Sequence, residues 1–205
     1  MKLKPKKCEF FKSKIAHLGH IISSHGIETD PKKVEAVKNW TILKTVTDVR
    51  SFLGFTNYYR RFIKDYAKVA NPLNTLISGE NASKKKKLVQ WDEQCQGAFD
   101  KLKDLCTSTP ILAYADYKKD FQLHTDASEH GLGGVLYQKD ENDLQRVIAY
   151  VSRSLSHTER NYPAHKLEFL ALKWAITDRF HEYLYAGKFD VYTDNNPLTY
   201  ILTSA

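Results

Sequence analysis

The sequence predicts a mixed α/β chain in two parts, a small helical unit followed by a unit built on a mixed sheet. Three observations predict it. The charge divides: residues 1–90 carry 19 Lys and Arg against 7 Asp and Glu, a balance of +12, whereas residues 91–205 carry 12 against 17, a balance of −5. The apolar period divides too, helical between residues 30 and 106 and strand-like after residue 120. From residue 120 the elements read β-β-β-α-β, so two hairpin connections precede a helical crossover that lays the fourth strand parallel to the first.

The elements follow in order. Cys8–Phe11 and His17–Ile22 are short apolar runs separated by Lys12-Ser-Lys14, and Gly26 closes the unit, which predicts a hairpin. Asp30-Pro31 is an N-cap with proline at the first helical position, and Val34, Val37 and Trp40 follow at near-helical spacing. A second helix starts near Thr47-Asp48 with Val49, Phe52, Leu53, Thr56, Tyr59 and Ile63 on one stripe. Its opposite stripe is Arg50, Gly54, Asn57 and Arg61. A shorter helix covers Ala67–Ile77, and Gly79–Lys87, polar and rich in lysine, reads as a linker.

Asp92 to Cys106 is helical, with Ala98, Phe99, Leu102 and Leu105 on one side, and Thr109-Pro110 ends it. Phe121–Thr125, Gly134–Gln138 and Arg146–Ser152 are strands, with Gly131 and Gly133 expected in the turn before the second. Pro163 opens a long helix to about Tyr185, and Lys188–Thr193 is the fourth strand.

Composition narrows the class. The 205 residues are 42% hydrophobic and 27% charged, ordinary globular values that exclude collagen-like, low-complexity and coiled-coil chains. No apolar run approaches the ~18 residues of a membrane helix, and the basic Met1–Lys7 segment lacks the apolar core of a secretory signal. Cys8, Cys95 and Cys106 are odd in number without a CxxC pair, giving neither a disulfide framework nor a zinc site. An intracellular, reducing setting is expected. The basic part calls for a polyanion, of which nucleic acid is the commonest.

Candidate chemistry sits in the acidic part. Asp126 ends the first sheet strand and Asp194 the fourth; parallel neighbours would bring both to one edge of the sheet, where ligands of such sheets bind. Glu168 lies on the helix between them, among Leu167, Phe169, Leu170 and Leu172, and burial there is costly without a partner. Taken singly, an Asp at a strand end is a turn former or a cap. Together the three carboxylates would repel one another unless cations neutralised them, and oxygen-only ligands favour Mg²⁺ or Mn²⁺ over zinc. Gly131–Gly134 precedes a strand rather than a helix and is read as a turn, not a phosphate loop. His157, His165 and His181 show no metal-ligand spacing and are read as surface or capping residues. Tyr58, Tyr59 and Tyr66, near arginines, offer rings for stacking on sugar or base, with core packing the alternative for Tyr59.

Six motifs then fall in order along the chain: Lys7-Cys-Glu-Phe-Phe11, Leu18-Gly-His-Ile-Ile-Ser23, Phe52-Leu-Gly-Phe-Thr-Asn-Tyr-Tyr-Arg-Arg-Phe62, Thr125-Asp-Ala-Ser128, Tyr150-Val-Ser-Arg-Ser-Leu155 and Val191-Tyr-Thr-Asp194. Together they resemble the Pol polyprotein of gypsy-type LTR retrotransposons over essentially all 205 residues. The resemblance implies a palm C-terminal hairpin over 1–27, primer-grip-like at Leu18-Gly19-His20. It implies a helical thumb and basic linker over 28–87, a connection over 88–118, and a truncated RNase H-like domain over 119–205.

The thumb helix would then lie against an RNA–DNA hybrid or template–primer duplex. Arg50, Asn57 and Arg61 would contact phosphates and sugars, Tyr58 would stack on sugar or base, and Gly54 would allow close approach. Asp126, Glu168 and Asp194 take the places of the first three catalytic carboxylates of RNase H. In that family they hold two divalent ions that hydrolyse RNA to 5′-phosphate and 3′-hydroxyl ends. Selectivity for RNA would come from contacts to 2′-hydroxyls on a duplex of A-like shape.

Tyr114-Ala-Asp-Tyr117 is not the polymerase Tyr-x-Asp-Asp, so no polymerase site is expected on this chain. Asn195 stands where relatives carry His or Asn and adds nothing. The family's last strand and helix, with a fourth Asp, are expected beyond Ala205. The resemblance therefore implies an internal fragment of the polyprotein, found in the cytoplasm or a virus-like particle and weak in cleavage by itself. It also implies self-association at the sheet edge beside Lys188–Thr193. The alternatives are a catalytically idle nucleic-acid-binding module and a domesticated structural protein.

Overall fold

The computed structural model describes residues 10–79, 87–185 and 187–194. Lys7–Glu9 of the first motif, Cys8 among them, residues 80–86 of the linker, Asn195 and the Pro197–Ala205 segment lie outside the described residues.

The chain begins with a three-stranded antiparallel meander of β1 (Lys14–His17), β2 (His20–Ser23) and β3 (Gly26–Thr29). The expected hairpin is therefore one strand larger. Gly26 does not close it but opens β3, at φ 133°, where a side chain would collide with the carbonyl oxygen of Leu112. Phe10 and Phe11 are exposed and outside any strand, because the pairing starts at Lys14↔Ser23.

Helix α1 (Pro31–Lys38) starts as its cap predicts, with the Asp30 carboxylate accepting from the Lys32 amide at 2.9 Å. Helix α2 (Val46–Tyr58) opens with a reciprocal capping box of Thr45 and Asp48. A 3₁₀ turn, Arg60–Phe62, links it to α3 (Tyr66–Leu76), and α4 (Glu93–Thr107) follows behind its Asp92 cap. Phe52, Leu53, Leu73, Phe99 and Leu102 share one core, so α4 packs against α2 and α3. Each such side chain, fully buried, contributes roughly 1.5–3 kcal/mol of transfer free energy.

The second unit is a four-stranded sheet of β4 (Phe121–Ser128), β5 (Gly131–Lys139), β6 (Gln145–Ser154) and β7 (Phe189–Tyr192), in the order β6-β5-β4-β7. β4 and β7 are parallel, with Phe121 opposite Phe189 and His124 opposite Tyr192. The crossover between β6 and β7 is α5 (Ala164–Trp174), a π-helical turn (Ala175–Arg179) and the short α6 (His181–Leu184), a broken helix where one long one was expected. Gly131 and Gly133 lie within β5, not in a turn. A Cβ on Gly131 would stand 2.6 Å from the Arg153 carbonyl oxygen of the paired strand.

The two units are one packed body. Tyr59, Phe62 and Leu112 form a buried cluster joined by Ile27 from the meander and by Val147 and Tyr150 from β6. At the same seam the Ala67 amide, in the first turn of α3, donates to Ser152 Oγ at 2.9 Å.

Candidate active site and nucleic-acid interface

The parallel register fixes the carboxylate edge. Two residues beyond the His124↔Tyr192 pair, β4 reaches Asp126 and the chain after β7 reaches Asp194. Helix α5 packs on β4 and β5 and brings Glu168 to the same end. Its Oε1 accepts from the Ala127 amide at 3.3 Å, one residue from Asp126. Glu168 is only 8% exposed, and among the described residues its Oε2 has no hydrogen-bond partner.

A motif residue anchors the turn before α5 and meets the far end of that helix. Arg153 at the end of β6 grips Glu159 bidentately at 2.7 and 2.9 Å and lies 5.5 Å from the Trp174 ring on α5. Together with the Ser156 amide, Arg153 holds the Glu159 carboxyl down at about 2.

Electrostatics couple the site. Burial first, then the Asp194 charge, pushes Glu168 up to about 7, with the Ala127 amide opposing and Asp126 adding to the rise. Asp126 is also raised, first by burial and then by two carboxylates, Asp65 and Asp194, against Lys68 and Lys64.

Asp65 is a residue the sequence did not flag. It precedes α3 in the left-handed region (φ 54°), makes no capping hydrogen bond, and lines a narrow cavity with Asp126, Ser128 and Ser152. Its Oδ1 would stand 2.9 Å from a Cβ on Gly133, so the glycine leaves room for it. Only the packing of two distant segments brings Asp65 there, and no spacing along the chain signals that.

Among the described residues, no group of three or more His, Cys, Asp or Glu side chains lies close enough to hold a metal ion. The Asp194 charge acts on both Asp126 and Glu168, and that of Asp126 on Glu168, so the three carboxylates stand within electrostatic reach of one another without closing into a cage. The donor set nevertheless fits a hard divalent cation: all oxygen, with one buried carboxylate oxygen unpartnered.

The expected nucleic-acid residues are divided between the meander and the segment from α2 through the 3₁₀ turn. Leu18 and Gly19 form the β1–β2 turn, both at positive φ. The Tyr58 hydroxyl donates to the Leu18 carbonyl and the Tyr59 hydroxyl to the Gly19 carbonyl. His20 stacks on Tyr58 with ring centroids 5.1 Å apart and on Phe62 at 5.4 Å. Burial, then the charges of Arg61 and His17, lowers its pKa.

Tyr58, 49% exposed, thus offers an edge of a ring already stacked, while Tyr59 and Tyr66 are core residues. Arg50, Gly54 and Asn57 share the outer side of α2, and nothing lies within 4 Å of a Cβ placed on Gly54. Arg61 departs from that stripe. The helix ends at Tyr58, and the 3₁₀ turn carries Arg61 toward the sheet unit. His157, His165 and His181 are exposed, as expected.

This fold, with acidic residues gathered at the edge where β4 and β7 run parallel, is that of a retroelement RNase H-like domain packed on a helical unit. Residues 91–191 match the RNase H-like domain found in reverse transcriptase, and the chain belongs to that family within retrotransposon Pol polyproteins. It is 42% identical over 202 residues to the retrovirus-related Pol polyprotein from transposon opus of Drosophila melanogaster, covering 96% of this chain and 20% of that protein. It is 39% identical over 207 residues to the corresponding polyprotein from transposon gypsy of the same organism, covering 98% of this chain and 19% of that protein. The chain thus spans about a fifth of the length of these curated relatives.

A solved foamy viral protease-reverse transcriptase in complex with an RNA/DNA hybrid shares the fold. Its TM-score is 0.76 at 18% identity, over 97% of this chain and 26% of that one. No helix among the described residues is long and apolar enough to cross a membrane.

Proposed function

We propose that the chain holds an RNA–DNA hybrid or template–primer duplex on its basic helical unit and presents the RNA strand to Asp126, Glu168 and Asp194. The observation that carries this reading is the β4–β7 register, which brings Asp126 and Asp194 to one edge beside the unpartnered Glu168 oxygen. These three residues are the ligands for Mg²⁺ or Mn²⁺, two ions in the complete domain, and RNase H-like domains generally use divalent metals. Bound divalent ions supply charge neutralisation and water activation for hydrolysis of a phosphodiester.

The chain's own residues do the rest. The Ala127 amide keeps one Glu168 oxygen oriented, leaving the other for the cation. Arg50, Asn57 and Arg61 take backbone phosphates and sugars, and Gly54 leaves the helix surface open for approach. Leu18, Gly19 and His20, held by Tyr58 and Tyr59, form the primer-grip-like turn. Within this reading residues 1–27 serve as palm hairpin, 28–87 as thumb and linker, 88–118 as connection and 119–205 as RNase H-like domain. The remainder of the Pol polyprotein is the partner, in the cytoplasm or a virus-like particle. β7, an edge strand among the described residues, recruits a further segment or a second copy.

A second reading, a binding module without cleavage, draws on the concentration of positive charge in residues 1–90. A labelled RNA–DNA hybrid separates the two. Incubation with the chain, and with the polyprotein that carries it, is expected to give Mg²⁺-dependent RNA cleavage in the polyprotein that Asp126→Asn abolishes. Tight binding with no cleavage in either would establish the binding module.

A further inference from the structure

Beyond the carboxylate edge, on the seam between the two units, three arginines meet. Arg60 and Arg61 of the 3₁₀ turn line a hollow of about 310 Å³ together with Arg179 of the π-helical turn. The two turns lie more than a hundred residues apart in sequence, and their meeting depends on the packing of Phe62 against β6. Tyr150 and Tyr183 also line it, and among the described residues no carboxylate does. Arg60 has a single long hydrogen bond, 3.4 Å to Asn57 Oδ1, and among the described residues neither Arg61 nor Arg179 forms an ion pair. Like charges gathered with no counter-charge are unfavourable unless an anion joins them. Planar guanidinium forks match the tetrahedral oxygens of a phosphate.

We propose that Arg61 and Arg179 form a phosphate clamp across the seam, holding a single phosphate group between the helical and sheet units. The group is a phosphodiester of a bound nucleic-acid strand or a free phosphate. In its nucleic-acid form the inference rests on the reading above and adds a contact from the RNase H-like unit, so that one strand ties the two units together.

A double-mutant cycle tests it, with fluorescence anisotropy of a labelled RNA–DNA hybrid as the readout across a salt series. Arg179→Gln and Arg61→Gln are each expected to weaken binding about tenfold, as loss of a charged hydrogen bond does, and to lower the salt slope by about one phosphate contact. The double variant is expected to lose far less than the product of the single losses, because both residues hold one group. Arg179→Lys, which keeps the charge but not the fork, is expected to fall between. Lys173→Gln, an exposed charge on α5 away from the hollow, should change little.

A second arm measures the melting temperature with inorganic phosphate. Stabilisation that Arg179→Gln removes, in a chain that does not bind the hybrid, would support a free-phosphate site and overturn the nucleic-acid reading alone. Hybrid binding that is insensitive to Arg179→Gln overturns the clamp and leaves that reading standing. So do multiplicative losses, or equal losses in Arg179→Gln and Lys173→Gln.

Discussion

Thr56 and Glu168 are both polar side chains buried on helices, and the chain treats them in opposite ways. The Thr56 hydroxyl is fully used. It donates to the Phe52 carbonyl at 3.1 Å and shares a 2.9 Å bond with the Tyr66 hydroxyl, which also reaches the Leu53 carbonyl. Glu168 has one 3.3 Å bond, a free buried oxygen, and two carboxylates acting on it. Among the described residues, helices α1–α4 leave no buried side-chain polar atom without a hydrogen-bond partner. The sheet unit concentrates unfavourable charge at one edge. A buried polar group left unmade costs about 1–3 kcal/mol, so the contrast separates a scaffold from a site built for a ligand.

The sharpest way to break this comparison is to neutralise the edge. Asp126→Asn in the polyprotein is expected to slow hybrid cleavage by ~10²-fold or more, several kcal/mol of transition-state stabilisation, measured by gel under single turnover. An unchanged rate would remove Asp126 from the chemistry.

Breaking the scaffold comes next. Phe62→Ala should cost about 3–5 kcal/mol. Because Phe62 lies in the cluster shared with β6, tryptophan fluorescence and calorimetry should report one joint transition at lower temperature. Two separated transitions in the parent protein would show that the units do not fold as one.

Proton linkage sharpens the contrast further. Glu168 has a folded pKa of about 7, above its ordinary 4.5, so it favours the folded state below pH ~4.5 and that contribution is lost as pH rises toward 7. Without divalent cations the loss should reach up to about 3 kcal/mol and vanish in Glu168→Gln. Glu159, held at about 2, runs the other way: its stabilisation is present above pH ~4.5 and lost as pH falls toward 2. Chemical denaturation across pH 2–8 checks both signs.

The smallest effect belongs to Asp65. Being half-exposed and screened, its repulsion of Asp126 should be relieved by about 0.5 kcal/mol in Asp65→Asn without metal.

Much of this was legible along the chain because it rests on local rules. The Asp30-Pro31 and Asp92 caps, the buried stripe through Val49, Phe52 and Thr56, and the parallel pairing of the first and fourth sheet strands all follow from period, cap chemistry and connection length. What the sequence hid depends on contact between distant segments. Gly131 and Gly133 read as turn residues because glycine favours turns. They sit in β5 because the Arg153 carbonyl and the Asp65 carboxylate come too close for a side chain. The long helix after Pro163 gave no sign of its π-helical turn, since Ala175–Arg179 carries neither glycine nor proline. Arg61 fitted a helical stripe by spacing, but the helix stops at Tyr58 and turns it toward Arg179.

The measurement closest to the central claim is a melting titration with Mg²⁺ and Mn²⁺ on the parent protein and on Asp126→Asn. If Asp126, Glu168 and Asp194 together await a cation, the variant melts at the same temperature or higher without metal, because one repelling charge is gone. The parent then gains clearly more from either metal. Identical metal responses in the two proteins would contradict the account, leaving three acidic side chains that share an edge of the sheet but not a site.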